Sequence, residues 1–320
     1  MGSVFLVTAP FFGLVFLGYF AARTGRLPLD AIGGLNTFVL YFALPCMIFD
    51  FAAKAPFHQL LDPALLVVYG LSAVVIVLLA LFMARLRGLS VKDGAFGAIT
   101  AAFPNSGFIG VPLLVSLLGQ VAASPVILTI AIDVIFTSSI CLAIAESGRR
   151  GGFLSTLLTS LKAITRNPMF LSILLGGLFS ALDWGLYSPI EAIVRLLGSA
   201  ASPVALFTIG AVLWRAELLT RNQDYRPSPY MDVVVLKLFV HPLLAMGMAV
   251  AVAKVWGLEL SPLALSALIL TAALPSASNV SLLAERFGAD NGRIAKIILI
   301  TTAASFLSFS GLAGWLGVMD

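Results

Sequence analysis

Long apolar runs separated by short polar stretches organise the whole chain. They predict membrane helices over residues 3–22, 31–53, 63–86, 92–118 and 124–147. After a basic, glycine-containing connector at 148–166, further runs cover 167–183, 188–215, 230–255, 261–287 and 292–318. Roughly 20 apolar residues cross one bilayer, so each run has the length of one span. The expected fold class is an all-α membrane protein of ten transmembrane helices, one integral membrane domain. It divides into a first half at 1–147, the connector at 148–166 and a second half at 167–320.

The distribution of Lys and Arg sets the expected orientation, because positive charge near span ends is held on the cytoplasmic side. The connectors after the odd-numbered spans hold Arg23, Arg26, Arg85, Arg87, Lys92, Arg149, Arg150, Lys162, Arg166, Arg215, Arg221, Arg226, Arg286, Arg293 and Lys296. The opposite face has only Lys54 and Lys254, and Arg195 and Lys237 fall within spans. Both termini are therefore expected outside the cytoplasm, on the periplasmic face of a bacterial inner membrane. Each half holds an odd number of spans, so the second half enters the membrane upside down relative to the first. Any internal repeat is an inverted one.

A repeat of that kind is visible. The fourth span carries Leu89-Ser90 and, nine residues later, Thr100-Ala101-Ala102-Phe103-Pro104-Asn105-Ser106-Gly107. The ninth carries Leu260-Ser261 and, nine residues later, Thr271-Ala272-Ala273-Leu274-Pro275-Ser276-Ala277-Ser278. The match needs no gap and falls at the same depth of corresponding spans. A weaker pair, Leu44-Pro45 and Ser202-Pro203, predicts bends in spans two and seven.

Proline removes a backbone donor and clashes with the preceding turn, and small polar residues follow both Pro104 and Pro275. Both helices are expected to break near mid-membrane. A broken span leaves free N–H groups and a positive dipole end inside the bilayer, where they attract anions. The candidate anion site is therefore Pro104, Asn105, Ser106 and Gly107 from the first half, with Pro275, Ser276, Ala277, Ser278 and Asn279 from the second. A pair of proline kinks needed only for packing is the bland alternative.

Ionisable groups within spans are costly and commonly face an interior site. Asp133 shares a helical face with Thr129 and Thr137 at four-residue spacing, so it can point into a polar track. Lys237 and His241 share one face of span eight, just before Pro242. A lysine about two turns from the cytoplasmic end can serve the site as a fixed cation or snorkel to the surface. These five residues form a candidate coupling or support group. Asn36 in span two either lines a path or pairs with a neighbouring helix. Thr301, Thr302, Ser305 and Ser308 make a hydroxyl face on span ten that commonly bonds only backbone. Glu191 and Arg195 have the spacing of a surface ion pair.

Composition narrows the function classes. With 60% hydrophobic and 11% charged residues, the chain has no material for a separate soluble domain. Cys46 and Cys141 lie in apolar runs, so neither a disulfide framework nor a metal site is expected. The chain has two His and no clustered ligand set for a membrane-embedded enzyme. It has no nucleotide-binding motif, no basic patch for nucleic acid, and no leader-type cleavage site after the first span. No cofactor is expected.

Four strings carry a family resemblance: Tyr41-Phe42-Ala43-Leu44-Pro45, Pro104 through Leu113, Lys237-Leu238-Phe239-Val240-His241-Pro242, and Ala273-Leu274-Pro275-Ser276-Ala277. Together they resemble the auxin efflux carrier family in its bacterial branch, over about residues 3–318. The resemblance implies a fold similar to bile acid/sodium symporters, with spans one, two, six and seven as scaffold and the others as a moving core. It implies a carrier of small carboxylates such as malonate, malate or an auxin-like acid, working by an elevator motion with proton or sodium coupling. It places substrate at Asn105 near Pro104 and Pro275, against a wall of span two near Pro45. A homodimer through the scaffold is also consistent with it. Related sodium-coupled carriers use acidic and amide residues where this chain has Ser276 to Ser278, so the coupling ion stays open. A cation/proton antiporter of the same fold is the alternative reading.

Overall fold

The computed structural model describes residues 2–147, 152–221 and 228–318. Arg149, Arg150 and Arg226, used above for orientation, lie outside them, as do Met1 and Asp320. Among the described residues the named elements are all helical. In chain order they are α1 (Gly2–Arg23), α2 (Ala31–Phe38), α3 (Leu44–Lys54), α4 (Pro63–Leu86), α5 (Val91–Ala102), α6 (Val111–Leu118), α7 (Ala123–Ile132) and α8 (Ser138–Ala145). There follow α9 (Gly152–Ile164), α10 (Pro168–Ala181), α11 (Ser188–Arg221), α12 (Met231–Val235), α13 (His241–Trp256), α14 (Pro262–Ala272), α15 (Val280–Phe287) and α16 (Asn291–Trp315).

Among the described residues, seven helical stretches are long and apolar enough to cross a membrane. Three further apolar stretches, Ser106–Leu118, Pro168–Ala181 and Pro262–Ala272, are shorter. Two of these three are pieces of the predicted fourth and ninth spans, cut short where the chain leaves the helix at Pro104 and Pro275. The predicted connector holds the additional helix α9, whose Leu158 and Leu161 are exposed. Its apolar positions are too few and too interrupted by Ser, Thr and Lys162 to form a continuous apolar run.

Local chemistry explains where helices start. Asp62 accepts from the Ala64 and Leu65 amides ahead of α4, Asn167 from Met169 and Phe170 ahead of α10, and Ser261 from Ala264 ahead of α14. In each case proline occupies the first helical position, where its missing N–H costs nothing. Ser90 and Asp290 cap α5 and α16 in the same way. Gly257 and Gly288 close α13 and α15 in the left-handed conformation that favours glycine.

Four π-helical turns widen the spans: Val39–Ala43, Ser106–Gly110, Asp133–Thr137 and Leu236–Val240. Three of them end two residues before a proline, at Pro45, Pro112 and Pro242. A proline ring clashes with the carbonyl four residues back, and opening the turn by one residue relieves that clash. Pro10 and Pro203 lie inside α1 and α11 with no such turn before them, and at Pro203, where the sequence predicts a bend to match Pro45, α11 continues as helix.

Two groups of helices emerge. α1 packs along α11, and α3 lies between α10 and α11. Glycine permits this closeness: a Cβ on Gly18 would strike the Phe207 carbonyl, and one on Gly210 the Val15 carbonyl. Backbone therefore meets backbone, the packing mode that small residues allow in membrane helices. Elsewhere α4 packs on α5 and α13, α5 on α8, and α13 on α14. α16 touches both groups.

Candidate functional site

The two helix breaks lie against each other. Pro104 and Ser276 form an antiparallel bridge, in which the Asn105 amide donates to the Pro275 carbonyl at 2.8 Å and the Ala277 amide to the Phe103 carbonyl at 3.0 Å. Each break thus satisfies backbone groups that the other freed, as the apolar interior requires. The Ser276 hydroxyl donates to the Thr100 carbonyl at 2.8 Å, and the Ser276 amide to Thr301 Oγ1 at 3.3 Å. Thr301, read from sequence as a backbone-bonding hydroxyl, also holds the second break.

Past the bridge, the chain turns into helix again with donors to spare. The Ile109 and Gly110 amides both bond the Asn105 carbonyl at 3.0 Å, and those of Gly107 and Phe108 take no part in that closure. The side chain of Asn105 is only 5% exposed, yet its Nδ2 has no partner, and neither does the buried Ser106 Oγ. A cleft of about 310 Å3 opens here, lined by Leu40, Phe103, Pro104, Asn105, Gly107, Phe108, Ile130, Met169, Ala277 and Asn279. No charged side chain lines it. Its span-two wall is Leu40; Pro45 is half-buried and not among the lining residues.

The buried ionisable groups form a second cluster behind the breaks. Asp133 is fully buried; Tyr69 Oη donates to its Oδ2 at 2.7 Å and Thr137 Oγ1 to its Oδ1 at 3.0 Å. Thr129, predicted on the same track, instead bonds the Val126 carbonyl one turn back. Tyr69 has no sequence signal beyond an aromatic in an apolar run, so the reading from sequence passes over it. Lys237 is fully buried too and does not snorkel: its Nζ donates to the Ala272 carbonyl at 3.2 Å and lies 3.1 Å from His241 Nδ1. Ala272 ends α14, so Nζ sits at the negative end of a half-helix, a favourable place for a cation. His241 Nε2 is buried without a partner, and its ring lies 6.1 Å from that of Tyr69.

A second cleft, of about 300 Å3, is lined by Asn36, Leu40, Val212, Arg215, Ser278, Asn279, Ser281 and Leu282. It shares Leu40 and Asn279 with the first. Asn36, left open above, lines this cleft. Two expectations about surface charge change. Glu191 pairs with Lys54 at 3.7 Å rather than with Arg195, because Lys54 at the end of α3 reaches across to α11. Arg293, counted above as a loop charge, is 1% exposed and donates to the Pro229 and Asp93 carbonyls. Gly97 leaves the room it needs: a Cβ there would meet its guanidinium at 2.8 Å.

The described residues thus bury polar break segments and charges among helices long and apolar enough to cross a membrane. The chain belongs to the family described as Membrane transport protein, whose model matches residues 3–313. It is therefore a multi-pass membrane transporter, not an enzyme. It is 30% identical over 315 residues to a protein of Rhizobium meliloti (strain 1021) named "Putative malonate transporter", covering 98% of this chain and 95% of the relative. It is also 27% identical over 301 residues to a protein of Methanothermobacter thermautotrophicus (strain Delta H) named "Uncharacterized transporter", covering 92% of each.

Proposed function

We propose that this transporter is a secondary carrier for a small organic anion, a mono- or dicarboxylate of the malonate or malate type. The observation that carries the reading is the Asn105 amide, a buried donor without a partner, beside free half-helix amides in a cleft that no acidic residue lines. A carboxylate held away from water needs charge-assisted hydrogen bonds, and this arrangement offers donors with no negative charge beside them. The relative named for malonate supports the same class. Absence of an acid from both clefts speaks against the cation/proton antiporter.

In this reading the chain has ten spans in two inverted halves, 1–147 and 167–320, joined by the connector at 148–166, with both termini outside. The paired breaks are the crossing of spans four and nine, and Pro104 to Gly107 with Pro275 to Asn279 build the substrate site, Ser276 by holding the two breaks together. The helices joined through Gly18 and Gly210 act as scaffold, past which the core carries the site by an elevator motion. Lys237 and His241, with Asp133, Thr137 and Tyr69, couple that motion to an ion, and Lys237 supplies a fixed cation at the second break.

Purified protein in liposomes, offered malonate, malate, lactate and indole acetate in turn under a pH or a sodium gradient, tests substrate class and coupling together. Saturable uptake of a dicarboxylate driven by one gradient is the expected result. Uptake of none of the four, by protein shown to be folded, sinks the organic-anion assignment.

A further inference from the structure

The second cleft holds the one charged side chain that lines either cleft, and it is an arginine. Arg215 extends from α11, and opposite it lie Ser278 and Asn279, the last residues before α15. Arg215 makes no ion pair or hydrogen bond among the described residues. Ser278 is only 6% exposed and lines the cleft, and its hydroxyl bonds no other group among the described residues. The amides of Ser278 and Asn279 take no part in the bonds that join the breaks or close the first turn of α15. Asn36 adds an amide from α2. A guanidinium, a hydroxyl, free backbone donors and a carboxamide thus converge on one space, with no carboxylate among its lining.

We propose that this space is a second carboxylate-binding station, at which Arg215 captures the anion before it passes Leu40 and Asn279 to the site at Asn105. The proposal rests on the organic-anion reading above and extends it. A guanidinium matches a carboxylate in two parallel hydrogen bonds, and its charge attracts anions over about a Debye length, on the order of 8 Å at physiological salt. Leu40 and Asn279 line both clefts, so the stations adjoin. The two walls of the new station belong to different helix groups, because Arg215 rides on α11 and Ser278 on the core side. A displacement of the core past α11 would therefore take the station apart. Arg215 should serve only the face on which the basic connectors lie, whereas Asn105 serves the anion from either face.

The alternative for Arg215 is a topology charge alone, and sided kinetics separate the two. Uptake of radiolabelled malonate is measured in liposomes sorted for orientation, for Arg215→Gln, Arg215→Lys and Asn105→Ala. Arg215→Gln is expected to raise KM about tenfold from the basic face, the cost of losing a hydrogen bond to a charged group. Its KM from the other face and its maximal rate stay near normal. Arg215→Lys should recover part of the loss, since the charge remains and the fork does not. An unchanged KM in both Arg215 variants, or an equal rise from both faces, overturns the capture station. Asn105→Ala keeps the readings apart: a raised KM from both faces in that variant leaves the anion site standing even if Arg215 fails. A normal KM in Asn105→Ala beside a sided effect in Arg215→Gln would keep the station and reject Asn105.

Discussion

The Pro104 and Pro275 segments have nearly the same sequence frame, yet they use their polar groups differently. In the second, the Ser276 hydroxyl and amide and the Ala277 amide are all engaged, with Thr100, Thr301 and Phe103. Lys237 is bonded to the carbonyl that ends the preceding half-helix. In the first, Asn105 Nδ2 and Ser106 Oγ are buried with no partner at all. At the bridge itself, Ser276 and Ala277 of the second break are engaged, whereas the first leaves the Asn105 and Ser106 side chains free. Two copies of one motif can thus divide construction and recognition between them, and a buried donor without a partner tells which copy recognises.

That division can be broken most forcefully at Asn105. Asn105→Asp keeps the size and places a negative charge in the cleft, and like charges at contact cost several kcal/mol. Malonate affinity should fall by about a hundredfold or more, read by calorimetry on folded protein. A gain in affinity for a monovalent cation in the same variant would favour the antiporter reading instead. Asn105→Ala removes one donor without the charge, and affinity should fall about tenfold. Equal anion affinity in wild type and both variants would mean that the first break recognises nothing.

Asp133→Asn probes the cluster behind the breaks. Tyr69 can still donate to the amide oxygen, whereas Thr137 loses a carboxylate oxygen. Transport should slow by about tenfold with malonate affinity within about twofold of normal, and its pH dependence should flatten. A normal rate with an unaltered pH profile would remove Asp133 from coupling.

Ser276→Ala should behave in the opposite way to Asn105→Ala. It strands the Thr100 carbonyl, at a cost of about 1 to 3 kcal/mol, so the melting temperature in detergent falls while affinity per folded molecule is kept. A loss of affinity at unchanged stability would reverse the roles assigned to the two breaks. Gly110→Ala gives the smallest effect. A Cβ there would lie 2.7 Å from Leu274 Cδ1, the mobile end of a side chain. Destabilisation of about 1 kcal/mol or slightly more is expected, and a larger loss would show that the two breaks pack more rigidly than Leu274 allows.

Much of this molecule is written in local chemistry. The apolar runs, the capping residues before prolines and the two interruptions at Pro104 and Pro275 follow from side-chain transfer energies and backbone valence. Each acts within a few residues of its cause, so each is legible from the sequence. The choice of Asn105 as a candidate donor was legible for the same reason. What needed the tertiary structure is everything decided by partners far along the chain. Tyr69 joins Asp133 from 64 positions away, and the Ser276 hydroxyl finds Thr100 across 176. Lys237 reaches the end of α14 instead of the surface because that carbonyl lies within its length. Arg215, on sequence one loop charge among many, faces Ser278 only because α11 passes the start of α15. Hydropathy and helix breaks are properties of short segments, whereas which donor is used and which stays free depends on what folding brings opposite it.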